Sequence, residues 1–343
     1  MNKCKLFSGI LLACLLISDS VYGQDQNQVL PQPPLNMETL KRDLSYLRGQ
    51  TTSEGAWPRT ICYQFEIYDF RTDTLKQEDK TFKMRKKPSR IIPHAVGVAE
   101  ILWAICPRER LVAFNEFAAD PAFCFLAPLV KAKGPIFNSK QTELVIGYQP
   151  DLVFTVFYSD AAFKEKLRQA KIPYFDLGYF GTINSIEKQI VLIGNIIGEE
   201  RNAKALIELM DRKIGELKAK LPKSHKPKRV LYYDEGGYIP GKSSNFNSIC
   251  EIIDATNVGA EQGIKSWSQI DFETLLKWNP DIIFVPQGSN LKEHLLANEM
   301  LSHLTATKNR KVFYIPGVYL RVDSQFLILS ANLLAGIVYE NEF

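Results

Sequence analysis

The sequence predicts an α/β protein of two Rossmann-like lobes, each built on a mainly parallel sheet, joined by one long rigid α-helix. Two observations carry this. The first is a pattern that occurs twice: residues 143–155 read Glu-Leu-Val-Ile-Gly-Tyr-Gln-Pro-Asp-Leu-Val-Phe-Thr, and residues 273–285 read Glu-Thr-Leu-Leu-Lys-Trp-Asn-Pro-Asp-Ile-Ile-Phe-Val. In each, a Glu stands seven residues before a Pro-Asp and an apolar run follows. The physical reading is a short helix with a carboxylate at its positive end, a stop enforced by the proline, and a strand covered on both faces. The second is a long amphipathic stretch between the two copies. In residues 199–220, Ala203, Leu206, Met210, Ile214 and Leu217 recur at helical spacing. At 1.5 Å per residue this helix reaches about 33 Å, the width of a small domain.

The elements follow in order. Residues 61–71 and 80–85 alternate aromatic and β-branched residues with polar ones around a polar turn, which predicts a hairpin. A basic linker, Lys86 to Arg90, leads into a strand at Arg90-Ile91-Ile92-Pro93. A helix is expected over 96–105, stopped by Pro107, then a strand at Leu111-Val112-Ala113-Phe114 and an apolar helical stretch opened by Asp120-Pro121. After the Glu143 helix and the strand at 152–157 come a helix over 160–170 and a closing strand, Tyr174-Phe175-Asp176-Leu177. Strands alternating with helices imply a parallel sheet with right-handed crossovers. Residues 183–197 form an amphipathic helix with Gly198 as its cap. The second lobe repeats the plan: a strand at 229–233, a Gly-rich loop from Gly236 to Lys242, and a helix over 245–255. The Glu273 helix follows, then a strand at 282–286, a helix near 291–303, a strand at 312–315 and a terminal helix from Ser324 to Tyr339. The expected division is 1–23 as a targeting segment, 24–86 as leader and hairpin, 87–182 as the first lobe, 183–222 as linking helices and 228–343 as the second lobe.

Composition narrows the class. The formal charge of +4 over 343 residues is too small to argue for nucleic acid or an anionic membrane as partner. Lys3 and Lys5, the apolar stretch from Leu6 to Ile17, and Val21-Tyr22-Gly23 read as a secretory signal peptide with its cleavage site. Leu11-Leu12-Ala13-Cys14 offers a second reading, lipid attachment at Cys14, against which stands the apolar continuation Leu15-Leu16-Ile17. Export places the chain where disulfides persist. Cys62, Cys106, Cys124 and Cys250 then allow three complete pairings, and sequence does not choose among them; Cys250, in an apolar helical stretch, reads as a buried free thiol. Residues 37–48 are compatible with a short helix in an otherwise Pro-rich leader.

Lys87-Pro88-Ser89-Arg90-Ile91-Ile92, the two Pro-Asp-apolar runs, the 199–220 helix and Gly241-Lys242-Ser243-Ser244 together resemble the substrate-binding proteins of bacterial ABC importers for vitamin B12, ferric siderophores and haem. The likeness covers about residues 60–340. It implies a periplasmic, monomeric protein with no intrinsic cofactor, a metal chelate as bound ligand and an ABC permease as partner. It also implies that Glu143 and Glu273, one on each lobe, dock into arginine pockets of that permease.

Ligand in such a fold lies at the carboxyl ends of the strands, between the lobes. The loops expected there carry His94, Asn115, Glu116, Phe157, Tyr158, Tyr179 and Phe180 from the first lobe, and Tyr233, Tyr238, Trp267, Tyr319 and Arg321 from the second. Flat aromatic faces suit a large ring ligand, and Arg321 and Lys242 suit its carboxylates. His94 is a candidate axial ligand to iron or cobalt. His225, His294 and His303 fall in the linker or on helices, so a bare-metal site is not expected. No Gly-x-Ser-x-Gly elbow, Walker loop or zincin motif occurs. The enzyme alternative is a tetrapyrrole-metal chelatase with His94 and Glu116 handling metal and proton.

Overall fold

The computed structural model describes residues 56–340 apart from 70, 71, 73, 224 and 225. The expected signal peptide, the lipid-attachment alternative at Cys14, the short helix over 37–48 and His225 lie outside the described residues.

The chain opens with an antiparallel hairpin, β1 (Arg59–Asp69) and β2 (Thr74–Met84). β1 keeps the expected length but starts two residues earlier, and β2 is longer than the sequence pattern suggested, because the polar run Lys76-Gln77-Glu78-Asp79-Lys80 continues it on a solvent-facing edge. The inner face packs on the first lobe, with Tyr63 and Phe82 against Phe175 at ring-centroid distances of 4.7 and 4.9 Å.

The first lobe contains β3 (Ile91–Pro93), α1 (Val96–Ile105), β4 (Phe114–Asn115), α2 (Ala127–Lys133), β5 (Ile136–Phe137), α3 (Thr142–Gly147), β6 (Leu152–Val156), α4 (Ala161–Gln169) and β7 (Tyr174–Leu177). Strands β3, β6 and β7 form a parallel sheet in that order. The expected strand at 111–114 is split. Leu111 bridges Ile91 and Val112 N–H donates to Ile91 O, but the chain then leaves β3, and Phe114 pairs with Ile136 of β5. The segment after Pro121 is turns until Ala127.

Two helices follow, α5 (Ile183–Ile197) and α6 (Glu200–Lys220). Thr182 and Ser185 close a reciprocal cap at the start of α5, and Gly198 ends it in the left-handed region at φ 73°. The turn into α6 is anchored to the first lobe through Glu199, whose side chain is fully buried. Its carboxylate meets Arg110 Nη1 at 2.7 Å, Lys87 Nζ at 3.1 Å and Asn202 Nδ2 at 3.1 Å. Arg110 also donates to Pro88 O and Ile197 O, and Asn202 to Ile105 O. A buried carboxylate is tolerated because cations and hydrogen bonds surround it.

The second lobe contains β8 (Arg229–Tyr232), β9 (Tyr238–Pro240), α7 (Asn245–Ile252), β10 (Thr256–Asn257), α8 (Val258–Glu261), β11 (Trp267–Gln269) and α9 (Phe272–Trp278). It continues through β12 (Ile282–Pro286), α10 (Leu291–Ala297), α11 (Thr305–Lys308), β13 (Val312–Ile315), α12 (Gly317–Leu320) and α13 (Leu327–Tyr339). Its sheet runs β10-β8-β12-β13, all parallel. The Gly-rich loop holds an element that sequence did not suggest: β9 pairs antiparallel with β11. Every residue of α13 is buried, as a helix apolar on all sides demands. One core cluster joins residues of α1, α5, α6 and α13 with both sheets, so the lobes and the linking helices share apolar packing.

Candidate functional site

All strands of each main sheet are parallel, so their carboxyl ends lie on one edge of each lobe, and the two edges face one another. Contacts cross between them. Tyr179, after β7, donates its hydroxyl to Ser243 O. Phe125 of the first lobe packs edge-on against Tyr319 of the second at 4.9 Å. Ser324 Oγ donates to Glu100 Oε2 at 2.5 Å, and Gln325 Nε2 to Glu100 O at 2.8 Å.

The first-lobe candidates divide by environment. His94, directly after β3, lies 3.2 Å through Nδ1 from Ser159 Oγ and stacks on Phe163 at 4.2 Å. Burial, helped by Lys164 and opposed by Asp160, lowers its pKa to about 4, so the imidazole is neutral at pH 7. Its Nε2 is buried without a hydrogen-bond partner. Asn115 is buried framework: its carbonyl caps Phe117 N–H and its amide donates to Ser139 Oγ. Glu116 is half-buried, and Asn138 Nδ2 donates to both of its oxygens at 2.6 and 2.7 Å. Phe157, Tyr158 and Tyr179 form an aromatic group, with Phe157 5.0 Å from Tyr158 and 6.0 Å from Tyr179. Tyr158 is 40% exposed, whereas Phe180 belongs to the core.

In the second lobe, Tyr233 is buried and stacks on Phe272. Trp267 is half-buried against Tyr232, and Tyr238 is half-buried on β9. Tyr319 stands half-buried over Phe125, its pKa raised by burial. Arg321 is paired with Asp234 at 3.3 Å, and Asp234 also accepts Tyr232 Oη–H at 2.5 Å. Lys242 is exposed. Tyr158 and Arg321 are exposed at the facing edges and Phe157, Tyr179 and Tyr319 are half-buried there, while Asn115, Phe180 and Tyr233 are buried and shape the bases of their loops. Phe125, Asp234, Ser243 and Tyr68 escaped sequence reasoning. Each acts through a long-range contact that leaves no local spacing; Tyr68, for example, lies in the hairpin, outside the repeated unit, yet its ring is 5.2 Å from Tyr179.

Among the described residues no group of three His, Cys, Asp or Glu side chains gathers to hold a metal ion. The four described cysteines are free: Cys62 is exposed and Cys106, Cys124 and Cys250 are buried. Burial raises the Cys250 thiol well above its ordinary value, as an inert core thiol requires. No described helix is long and apolar enough to cross a membrane.

Glu143 and Glu273 occupy matching places, in the first turns of α3 and α9. Both are exposed. Glu143, 74% exposed in its side chain, meets Lys166 Nζ at 2.6 Å, and that hydrogen bond lowers its pKa.

Comparison with known proteins gives a consistent result. The profile of the periplasmic binding protein family matches residues 96–319. An uncharacterized ABC transporter substrate-binding lipoprotein of Bacillus subtilis, YvrC, is 25% identical over 286 residues, 81% of this chain and 88% of that protein. The molybdate-binding protein MolA of Haemophilus influenzae is 25% identical over 210 residues, 52% of this chain and 57% of MolA. Among solved structures, the periplasmic heme-binding protein RhuT of Roseiflexus sp. RS-1 superposes with a TM-score of 0.63 at 17% identity, covering 74% of this chain and 99% of RhuT.

Proposed function

Since the chain belongs to the periplasmic binding protein family, the substrate-binding component of ABC transporters, we propose that it captures an iron chelate between its lobes and delivers it to a membrane permease. The ligand class is a metal chelate of siderophore or haem type, with cobalamin behind. The observation that carries this reading is the aromatic surface supplied by both lobes at the strand ends: Phe157, Tyr158 and Tyr179 from one, Tyr319 from the other. Such faces cover the apolar part of a large planar or aryl ligand. Arg321 stands beside them to meet carboxylates or net negative charge, sharing itself with Asp234. Neutral His94, with its buried Nε2, remains a candidate axial ligand.

A small oxyanion such as the ligand of MolA is disfavoured by the same groups. Lys164 is held by Asp176, and aromatic faces give an oxyanion nothing to bond, whereas they cover the apolar part of a chelate. The chelatase alternative has no support from relatives, and Asn138 holds both Glu116 oxygens.

We assign Glu143 and Glu273 to docking on the permease, one carboxylate per lobe. We place the mature chain outside the cytoplasmic membrane, soluble after cleavage at residue 23. Attachment through Cys14 is the competing form, and the mass of the exported chain decides between them.

The test is titration of the purified mature chain with haemin, cyanocobalamin, ferric siderophores and molybdate, followed by absorption and intrinsic fluorescence. Binding of an iron chelate below about 10 μM is expected. If molybdate, or a sugar, amino acid or bare metal ion titrated in the same way, binds in that range and no chelate does, the ligand assignment is overturned.

A further inference from the structure

Tyr179 sits at a three-way junction. Its backbone N–H donates to Glu66 O of the hairpin at 2.8 Å, and its ring packs on Tyr68 of the same strand at 5.2 Å. Phe157 holds the ring from the first lobe's own loop. Its hydroxyl crosses to the second lobe and donates to Ser243 O. The two glycines that flank this segment leave room for the arrangement. A Cβ on Gly178 would stand 2.7 Å from Glu66 O, and one on Gly181 would stand 1.9 Å from the Tyr179 ring. The acceptor side is equally fixed. Lys242 N–H and Ser243 N–H donate to Ile264 O and Lys265 O, and Ser244 caps α7 through Asn247 N–H. A donor held by two aromatic rings thus meets an acceptor held by a backbone ladder, across the edges between which ligand is captured.

We propose that Tyr179 and Ser243 form a latch that holds the two lobes together in the ligand-free protein, with the β1–β2 hairpin as the brace that aims the phenol. A ligand that enters between the lobes must break this hydrogen bond or take over the hydroxyl. The latched state therefore competes with capture, and apparent affinity is reduced by the fraction of molecules that are latched. Tyr179 is a positioning residue in this role, separate from any contact its ring makes with ligand. The inference rests on the reading of the chain as a two-lobed binding protein, but its first test needs no ligand.

The experiment uses the full mature chain with Cys62→Ser, carrying spin labels at Lys140→Cys in the first lobe and Gln262→Cys in the second, both exposed positions. Pulsed electron resonance reads the distance between the lobes with Tyr179 and with Tyr179→Phe, which keeps the ring and removes only the hydroxyl. The expected result is one narrow distribution for Tyr179 and a broader one extended to longer distance for the Phe variant. In the second arm, haemin association by stopped flow should be about 2- to 10-fold faster for Tyr179→Phe, the range one hydrogen bond supplies. Tyr68→Leu, which loosens the brace and spares the hydroxyl, should broaden the distribution in the same direction. Identical distributions for Tyr179 and Tyr179→Phe overturn the latch. If haemin and the other chelates fail to bind while the distributions differ, the latch stands and the ligand reading falls.

Discussion

Asp151 and Arg90 hold one another twice over. The Asp151 carboxylate accepts Ser89 N–H at 2.8 Å and Arg90 N–H at 2.8 Å, while Asp151 N–H donates back to Arg90 O at 2.9 Å. The Arg90 guanidinium closes the loop by donating to Tyr148 O and Gln149 O, the carbonyls at the end of α3. The second lobe repeats the arrangement: Arg229 N–H donates to Asp281 at 2.9 Å, Asp281 N–H to Arg229 O at 2.8 Å, and the Arg229 guanidinium to Asn279 O. Even the backbone agrees, since Gln149 and Asn279, each just before its proline, have φ of 48° and 46°. The Pro-Asp motif is thus a clasp between the first strand of a lobe and the helix that precedes its central strand.

The clasp predicts a stability effect. Asp151→Ala leaves two backbone N–H groups and the Ser89 hydroxyl without their acceptor, so unfolding by denaturant should show a loss of about 1–3 kcal/mol. Asp281→Ala should cost less, about 1 kcal/mol, because its carboxylate takes a single backbone donor. Negligible losses in both would show that the clasp contributes nothing, and equal losses would show that the number of backbone donors does not set its strength.

Docking predicts a separation of functions. Replacing Glu143 and Glu273 together with Ala should abolish uptake in cells and leave chelate affinity unchanged, because both carboxylates are exposed in helix first turns and neither belongs to the aromatic surface assigned to the ligand. Wild-type uptake by the double variant would remove the docking assignment.

Arg321 and Tyr319 predict the weight of charge and ring. Arg321→Ala should weaken chelate binding by about 1.5–3 kcal/mol if its ion pair with the ligand is desolvated. Tyr319→Ala should weaken it by about 0.5–1.5 kcal/mol through lost ring contact. Isothermal titration calorimetry reads both, and an unchanged affinity for Arg321→Ala would place the ligand elsewhere.

Glu100 predicts a pH dependence at the seam between lobes. It is 2% exposed, and burial raises it to about 8 against the lowering effect of Ser324 and Phe125 N–H. The facing groups are Ser324 and Asp323 from the second lobe and Cys124 from the first; Asp323 is itself raised to about 6 and the Cys124 thiol is pushed up by burial. A carboxyl whose folded pKa lies above its unfolded value adds stability that is complete below the unfolded pKa, near 4.5. That stability is lost as pH rises through the folded value. Stability should therefore fall between pH 4.5 and 8 by an amount on the order of a few kcal/mol, read as a falling melting temperature. Glu100→Gln, which keeps an acceptor for Phe125 N–H and cannot ionise, should flatten the part above pH 6. A Gln variant with the same slope up to pH 8 would show that Glu100 does not titrate there.

The parts of the fold that were legible were those written in local spacing. The strands at 174–177, 282–286 and 312–315 and the helix at 183–197 match the sequence reading residue for residue, because continuous apolar runs and caps specify them without help from afar. The 111–114 strand was misjudged because its apolar run is shared between two partners, Ile91 and Ile136. β9 was hidden inside a glycine-rich loop whose partner, β11, lies 27 residues on from Pro240 to Trp267. The candidate site was legible as a set of loops and not as a set of roles. Tyr233 and Tyr158 look alike in sequence, yet one is core and the other is open to solvent. Tyr233 packs into the second-lobe core and under Phe272, long-range contacts that local sequence does not show.

The buried Glu199 cluster makes the long helix a cantilever. With Arg110, Lys87 and Asn202 fastening its root to the first lobe, α6 behaves as a beam clamped at one end, its 21 residues giving an arm of about 31 Å. Flexure of about 5° spread along such a beam carries its far end only about 1–2 Å. The second lobe joins that end and also packs on the first through the Glu100–Ser324 seam, so the expected motion is a shift by side-chain widths, and a large change in radius of gyration on ligand binding would contradict it.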